Sequence, residues 1–280
     1  MLTKLQAYSS WLDAPELTLS DSGREETDLI QIRGITGLDP VKGTVNTSPF
    51  GSVDGAAYLG TTVLIRNIVL TLHPNPDWDR WSNEALRRLL YSYFMTKLET
   101  RLIFYSDDMP PVEIYGYVED ANVNQFAQDL EMQVSIICPD PYFTAVDPTV
   151  VTGSATRDNS NPVEIIYNGN IATGVNVQLT RNSDPTPTSI GVQIGDPSLS
   201  YFNVAAGVDA TKYFLMNSLI GNKYVQNVSL TSGAITNLLA KVQDGSSWPI
   251  LQPGSNDFSV ITNQGGQDWQ LTYYERYGGL

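Results

Sequence analysis

Apolar residues recur at every second position through much of this chain. Leu130, Met132, Val134 and Ile136 alternate with Glu131, Gln133 and Ser135. Val112, Ile114, Gly116 and Val118 alternate with Glu113, Tyr115, Tyr117 and Glu119. A period of two is the mark of a strand with one buried face. The same reading places strands at 29–32, 63–72 and 101–105. In the second half it places short ones at 163–167, 175–179, 190–194, 213–216, 225–230, 258–262 and 269–273. Turn signals such as Asn168-Gly169, Asp196-Pro197 and Pro253-Gly254 separate several of the second set, the pattern of a sandwich or jelly roll. A short helical turn is expected within 233–240.

One segment has a different period. Between 77 and 98, Trp78, Trp81, Ala85, Leu89, Leu90, Phe94 and Leu98 recur mostly at spacings of three and four, which predicts an amphipathic helix. Asn75 is the expected cap, Pro76 suits a first helical position, and Asp77 and Asp79 suit the positive end of the dipole. Trp78, Trp81, Leu89 and Leu90 are its expected buried face, with Arg87 and Arg88 outside.

Residues 34–61 have no period at all. They are rich in Gly, Pro, Ser and Thr, yet lie between two strands. Long connections inside a domain are functional or disordered. The segment, 43–60 above all, is read as an extended β-arm that reaches a neighbouring subunit; a surface loop is the plainer alternative.

Length and composition then set the domain plan. At 280 residues two domains are the default, and 41% hydrophobic with 16% charged residues is a globular balance. Pro139, Pro141 and Pro148 interrupt the strand pattern, because proline disfavours helix and ladder alike. The expected division is 1–146 and 147–280, with the last residues a candidate to return to the first domain. The fold class expected is mainly β: a sandwich-like first domain with one helix and a long arm, then a jelly-roll or galectin-like β-sandwich.

Charge and candidate chemistry narrow the function. The formal charge is −14. Residues 1–141 hold 10 Lys and Arg against 20 Asp and Glu, a net −10, and residues 142–280 hold 6 against 10, a net −4. A nucleic-acid binder needs clustered cations, and only Arg87-Arg88 comes near. No apolar run approaches the ~20 residues of a membrane span, and residues 1–11 lack an apolar signal core. Cys138 is the sole cysteine, so neither an internal disulfide nor a CxxC zinc site is available. His73, the sole histidine, precedes Pro74 at a strand end and reads as a turn residue, which leaves no Ser-His-Asp set. No P-loop, dinucleotide or metalloprotease motif occurs. Gly51-Ser-Val-Asp-Gly55 only superficially resembles a nucleophile elbow, its Ser not being central.

Two alternatives remain open on residues alone. The acidic pairs Glu25-Glu26, Asp107-Asp108 and Glu119-Asp120 are the raw material of a glycosidase, and equally of solvated turns. Trp248 and Trp269, with Tyr201, suit stacking on a glycan, and equally a sandwich core.

Several of these pieces, in this order, resemble the distal tail protein (Dit) family of long-tailed bacteriophages. In the first half they are Ile35-Thr-Gly-Leu38, Asp54-Gly-Ala56, Arg66-Asn-Ile68, Leu86-Arg-Arg-Leu-Leu-Tyr91, the 101–105 strand and Gly116-Tyr-Val-Glu119. Val134-Ser-Ile-Ile-Cys-Pro-Asp-Pro-Tyr-Phe143 carries the resemblance most strongly. The second half adds Asn168-Gly-Asn170, Leu215-Met-Asn-Ser218, Asn222-Lys223, Trp248, Leu251 and Pro253-Gly-Ser-Asn256. Trp269-Gln-Leu-Thr-Tyr273 and Arg276-Tyr-Gly-Gly-Leu280 close the series. Asn217 and Ser218 stand where many relatives carry an acidic residue and Thr.

The resemblance implies a non-enzymatic hub of the tail tip, without catalytic, cofactor or metal residues. It implies a homo-hexameric ring built by the first domain, with the second domain at the periphery. The implied partners are the tail tube protein, the tape measure protein and the tail-tip or baseplate proteins. DNA would pass through the channel without specific binding, and no membrane is entered. The implied location is the virion, after assembly in the host cytoplasm. A carbohydrate-binding module contacting the host surface is the alternative function.

Overall fold

The computed structural model describes residues 2–10, 17–21, 29–76, 81–123, 130–155, 162–195 and 201–280. The chain divides into two compact units, Met1–Val146 with Tyr277–Leu280, and Asp147–Arg276.

The first unit contains β1 (Leu2–Ser9), β2 (Leu17–Asp21), β3 (Ile30–Thr36), β4 (Gly43–Pro49), β5 (Ala56–Val63) and β6 (Arg66–Pro74). Helix α1 (Asn83–Tyr93), β7 (Glu99–Ser106), β8 (Val112–Val123), β9 (Met132–Cys138) and β10 (Phe143–Ala145) follow. One antiparallel sheet runs β2-β1-β7-β8-β9-β6-β3, with β10 paired to β8. Its end strands β2 and β3 lie close together, so the sheet curls back on itself like a barrel. Alternation explains what fills it: in β6 and β9 the inward set is Ile68, Leu70, Leu72, Met132, Val134 and Ile136, all fully buried. They join Leu5, Leu19, Phe104, Ile114 and Phe143 in one core.

The helix is shorter than its period suggested. It begins at Asn83, and the Ser82 hydroxyl, not Asn75, caps it by accepting from the Ala85 N–H at 3.3 Å. Strand β6 continues to Pro74, and the Asn75 N–H donates to the Leu29 carbonyl at 2.8 Å, so the ladder claims the residue the helix was expected to use. Asp77, Trp78 and Asp79 lie outside the described residues. Leu86, Leu90, Tyr93 and Phe94 form the buried stripe, while Leu89 and Trp81 are only half-buried. Arg87 is half-buried and Arg88 exposed. Lys97, at φ 72°, then turns the chain towards β7.

The second unit holds β11 (Thr149–Ala155), β12 (Val163–Tyr167), β13 (Thr173–Gly174), β14 (Asn176–Ser183), β15 (Ile190–Ile194) and β16 (Phe202–Val204). It continues with β17 (Lys212–Asn217), β18 (Tyr224–Ser229), β19 (Ile235–Asn237), β20 (Ile250–Leu251), β21 (Gly254–Thr262) and β22 (Gly266–Tyr273). A single 3-10 turn, Leu239–Lys241, lies at the end of the stretch where a helical turn was expected. A six-stranded sheet, β11-β22-β14-β17-β18-β19, and a four-stranded sheet, β12-β21-β15-β16, share one core in a β-sandwich. Tyr167, Val177, Leu179, Phe202, Phe214, Phe258 and Trp269 fill it.

Candidate assembly surface

The aperiodic segment forms a hairpin. Strands β4 and β5 pair only with each other among the described residues, from Gly43 opposite Val63 to Pro49 opposite Ala56. The Phe50 N–H closes the tip on the Gly55 carbonyl at 3.3 Å, and the Leu64 N–H closes the base on Lys42 at 3.0 Å. Gly55 at φ 107° makes the tip turn possible. The Gly51-Ser-Val-Asp-Gly55 run is this tip and nothing like a nucleophile elbow.

The hairpin has no core of its own. Val45, Phe50, Val53, Tyr58, Leu59 and Val63 are exposed, as are Leu64 and Ile65 at its root; Val53 reaches 70% and Leu59 68%. Asp54 is the only charge between Gly43 and Val63. A lone two-stranded hairpin is marginal in water, and a contiguous apolar surface marks an interaction site.

The root is held firmly by Arg66. By parity this residue lies on the core face of β6, and it is 5% exposed. Its Nε donates to the Pro141 carbonyl at 2.7 Å, Nη1 to Gly37 and, at 2.8 Å, to Asp39, and Nη2 to Gly278 at 2.6 Å. The guanidinium also lies 4.5 Å over the Phe143 ring. Burial pushes the guanidinium below its ordinary value, and nearby Cys138 and Asp39 draw it back up. One cation therefore joins the arm's root, the proline-marked end of β9 and the last residues of the chain. Those last residues pair with the root as well: Val41 N–H donates to Gly278 at 3.1 Å and Leu280 N–H to Leu38 at 3.0 Å. Gly37 sits at φ 90°, where an added Cβ would lie 2.0 Å from the Asn67 carbonyl oxygen, so no other residue fits there.

The described residues among those weighed for catalysis do not converge. His73 is a half-buried position of β6 opposite Gln31. Asp107-Asp108 occupies an exposed bend, and Glu119-Asp120 an exposed bulge of β8, where Glu119 accepts from Ser135 and Asp120 from Asn122. Glu25-Glu26 lies outside the described residues. No group of three metal-ligating side chains occurs among the described residues. Burial pushes the Cys138 thiol up to about 12, the opposite of an activated nucleophile. Trp269 packs 4.8 Å from Phe258 in the sandwich core, and Trp248 lies 4.5 Å from Phe202 at its edge. Tyr201 is the one exposed member of that trio. The Asn217-Ser218 pair is buried, with the Ser218 hydroxyl donating to Pro249 at 2.6 Å and accepting from the Val175 N–H at 2.8 Å.

No protein-family model matches the sequence, and no curated protein does. Solved structures do match. The crystal structure of the Dit (gp 19.1) protein of phage SPP1 aligns with a TM-score of 0.69 over 97% of this chain and 98% of that one, at 16% identity. This chain has the Dit fold. A chain of the phage P2 baseplate, in its activated conformation with calcium, aligns at a TM-score of 0.49 and 10% identity over 97% and 98%. SPP1 Dit is described as a paradigm of the hub adsorption apparatus in phages that infect Gram-positive bacteria. Among the described residues of this fold, the arm pairs only with itself and leaves its apolar side chains exposed.

Proposed function

We propose that this protein is a structural hub of a phage tail tip and has no catalytic role. Six copies close a ring through the first unit, and the arm of each copy lies on its neighbour. The single observation that carries this reading is the arm, an apolar hairpin with one charge and no core, on a chain with the Dit fold. A contact in which one patch meets a different patch on the next copy generates a ring when its rotation closes. Pairing the arm with a neighbour also covers strand edges that would otherwise invite aggregation.

In the proposed assembly the ring joins the distal end of the tail tube to the tail-tip or baseplate proteins. Its channel passes the tape measure protein and then DNA. A net charge of −10 over residues 1–141 suits such a channel, because like charge keeps DNA from sticking. The protein would assemble in the host cytoplasm and reside at the tip of the virion tail. Averaged electron micrographs of the purified protein test the reading. Six-fold rings with an open centre are expected, and particles of any other symmetry reject the proposed stoichiometry.

A further inference from the structure

Asn168-Gly169, in the turn that follows β12, is the sole Asn-Gly pair of the chain. Asn168 is exposed, and its Nδ2 donates to Glu275 Oε1 at 3.1 Å. Gly169 is buried. Buried backbone N–H groups are nearly always paired, yet that of Gly169 makes no hydrogen bond among the described residues. The next two are paired: the Asn170 and Ile171 N–H groups both donate to the Arg276 carbonyl, at 3.0 and 3.2 Å. The Tyr167 hydroxyl closes the same turn, donating to the Ile171 carbonyl at 2.7 Å and accepting from the Arg276 N–H at 2.8 Å. A Cβ on residue 169 would lie 2.3 Å from that hydroxyl and 2.8 Å from the Arg276 carbonyl oxygen. The packing therefore demands glycine, and glycine leaves its nitrogen unshielded by any side chain.

We propose that Asn168 is a site of spontaneous deamidation, with the Gly169 nitrogen as nucleophile. That nitrogen bonds to Asn168 Cγ and gives up its proton. The Cγ–Nδ2 bond breaks, and Nδ2 leaves with the proton as ammonia. Solvent water then opens the five-membered imide at either carbonyl, giving aspartate or isoaspartate. One water enters, one ammonia leaves, and nothing is oxidised or reduced. Each product changes the turn. In the aspartate form a carboxylate replaces the donor that faced Glu275, a residue only 9% exposed, and like charges at that range repel. In the isoaspartate form the main chain gains a carbon just before Gly169, which is already wedged against Tyr167 and Arg276. Both products weaken the hold of the turn on Glu275-Arg276, where the chain leaves the second unit for Tyr277–Leu280 of the first.

Peptide mapping by mass spectrometry tests this on the full chain, kept folded at pH 8 in water enriched in heavy oxygen. Asn182 is the internal comparison, an exposed Asn-Ser whose Nδ2 also donates to a carboxylate, Asp268, at 2.7 Å. Asn168 should convert at least tenfold faster than Asn182, taking up one solvent oxygen per conversion. Its rate should fall at least tenfold at pH 6, because the attacking nitrogen must lose its proton. Hydrogen exchange reads the consequence. Protection of the Asn170 and Ile171 amides should drop at least tenfold at pH 8 in Asn168→Asp, and less in Asn168→Gln, which keeps a neutral amide. Three results overturn the proposal: conversion at Asn168 no faster than at Asn182, conversion only after unfolding in urea, or equal protection in Asn168→Asp and the parent.

Discussion

Arg66→Ala is expected to destabilise the first unit by at least about 3 kcal/mol, the largest effect of any single side chain outside the apolar core. The guanidinium serves four carbonyls, those of Gly37, Asp39, Pro141 and Gly278. Each acceptor left unpaired in a buried position costs about 1–3 kcal/mol. Rehydration offsets part of that sum, since a cleft lined by Gly37, Asp39, Lys42 and Arg66 itself opens beside them. Arg66→Lys should recover only a fraction, because an ammonium is a point charge and cannot fork towards four acceptors. Hydrogen exchange along a urea series measures the loss segment by segment. Peptides from residues 37–42 and 66–74 should lose protection at lower urea in the Ala variant, with the Lys variant between it and the parent. Equal midpoints for all three proteins would show that the clasp carries no stability.

The second expected result concerns assembly. Gly43 and Val63 face each other at the root of the arm, so a short Gly-Ser turn can replace residues 44–62 without disturbing β3 or β6. Both units should remain folded, because the excised residues contribute no side chain to either core. The particle should fall from six copies to one. Loss of the arm also removes most of the exposed apolar surface of this region, so the variant should be at least as soluble as the parent. A variant that keeps the parent's mass would mean that the ring closes through some other surface.

How much of this was legible beforehand follows from the physics of each element. Strands β9 and β12 bury one face and leave the other polar or lightly covered, so their burial alternates and their positions match the sequence reading closely. The arm was legible by its lack of period between two strands. Strand β1 was not, because Leu5, Gln6 and Ala7 are buried in succession. Gln6 hides its amide by accepting from the Tyr105 hydroxyl at 2.6 Å, which breaks the alternation. The helix start was misplaced because capping residues recur at Asn75 and Ser82, and only the β3–β6 ladder decides between them.

Arg66 had a usable signal. It shares parity with Ile68, Leu70 and Leu72, and a cation on a core face needs several acceptors. The described acidic pairs, Asp107-Asp108 and Glu119-Asp120, are adjacent in sequence yet occupy separate exposed positions, a bend and a bulge of β8.

The mass of the purified full chain in solution bears most directly on the central claim. Light scattering should give six times the 30.8 kDa of one copy, without change on dilution through the micromolar range. A single 30.8 kDa species at those concentrations would contradict the ring.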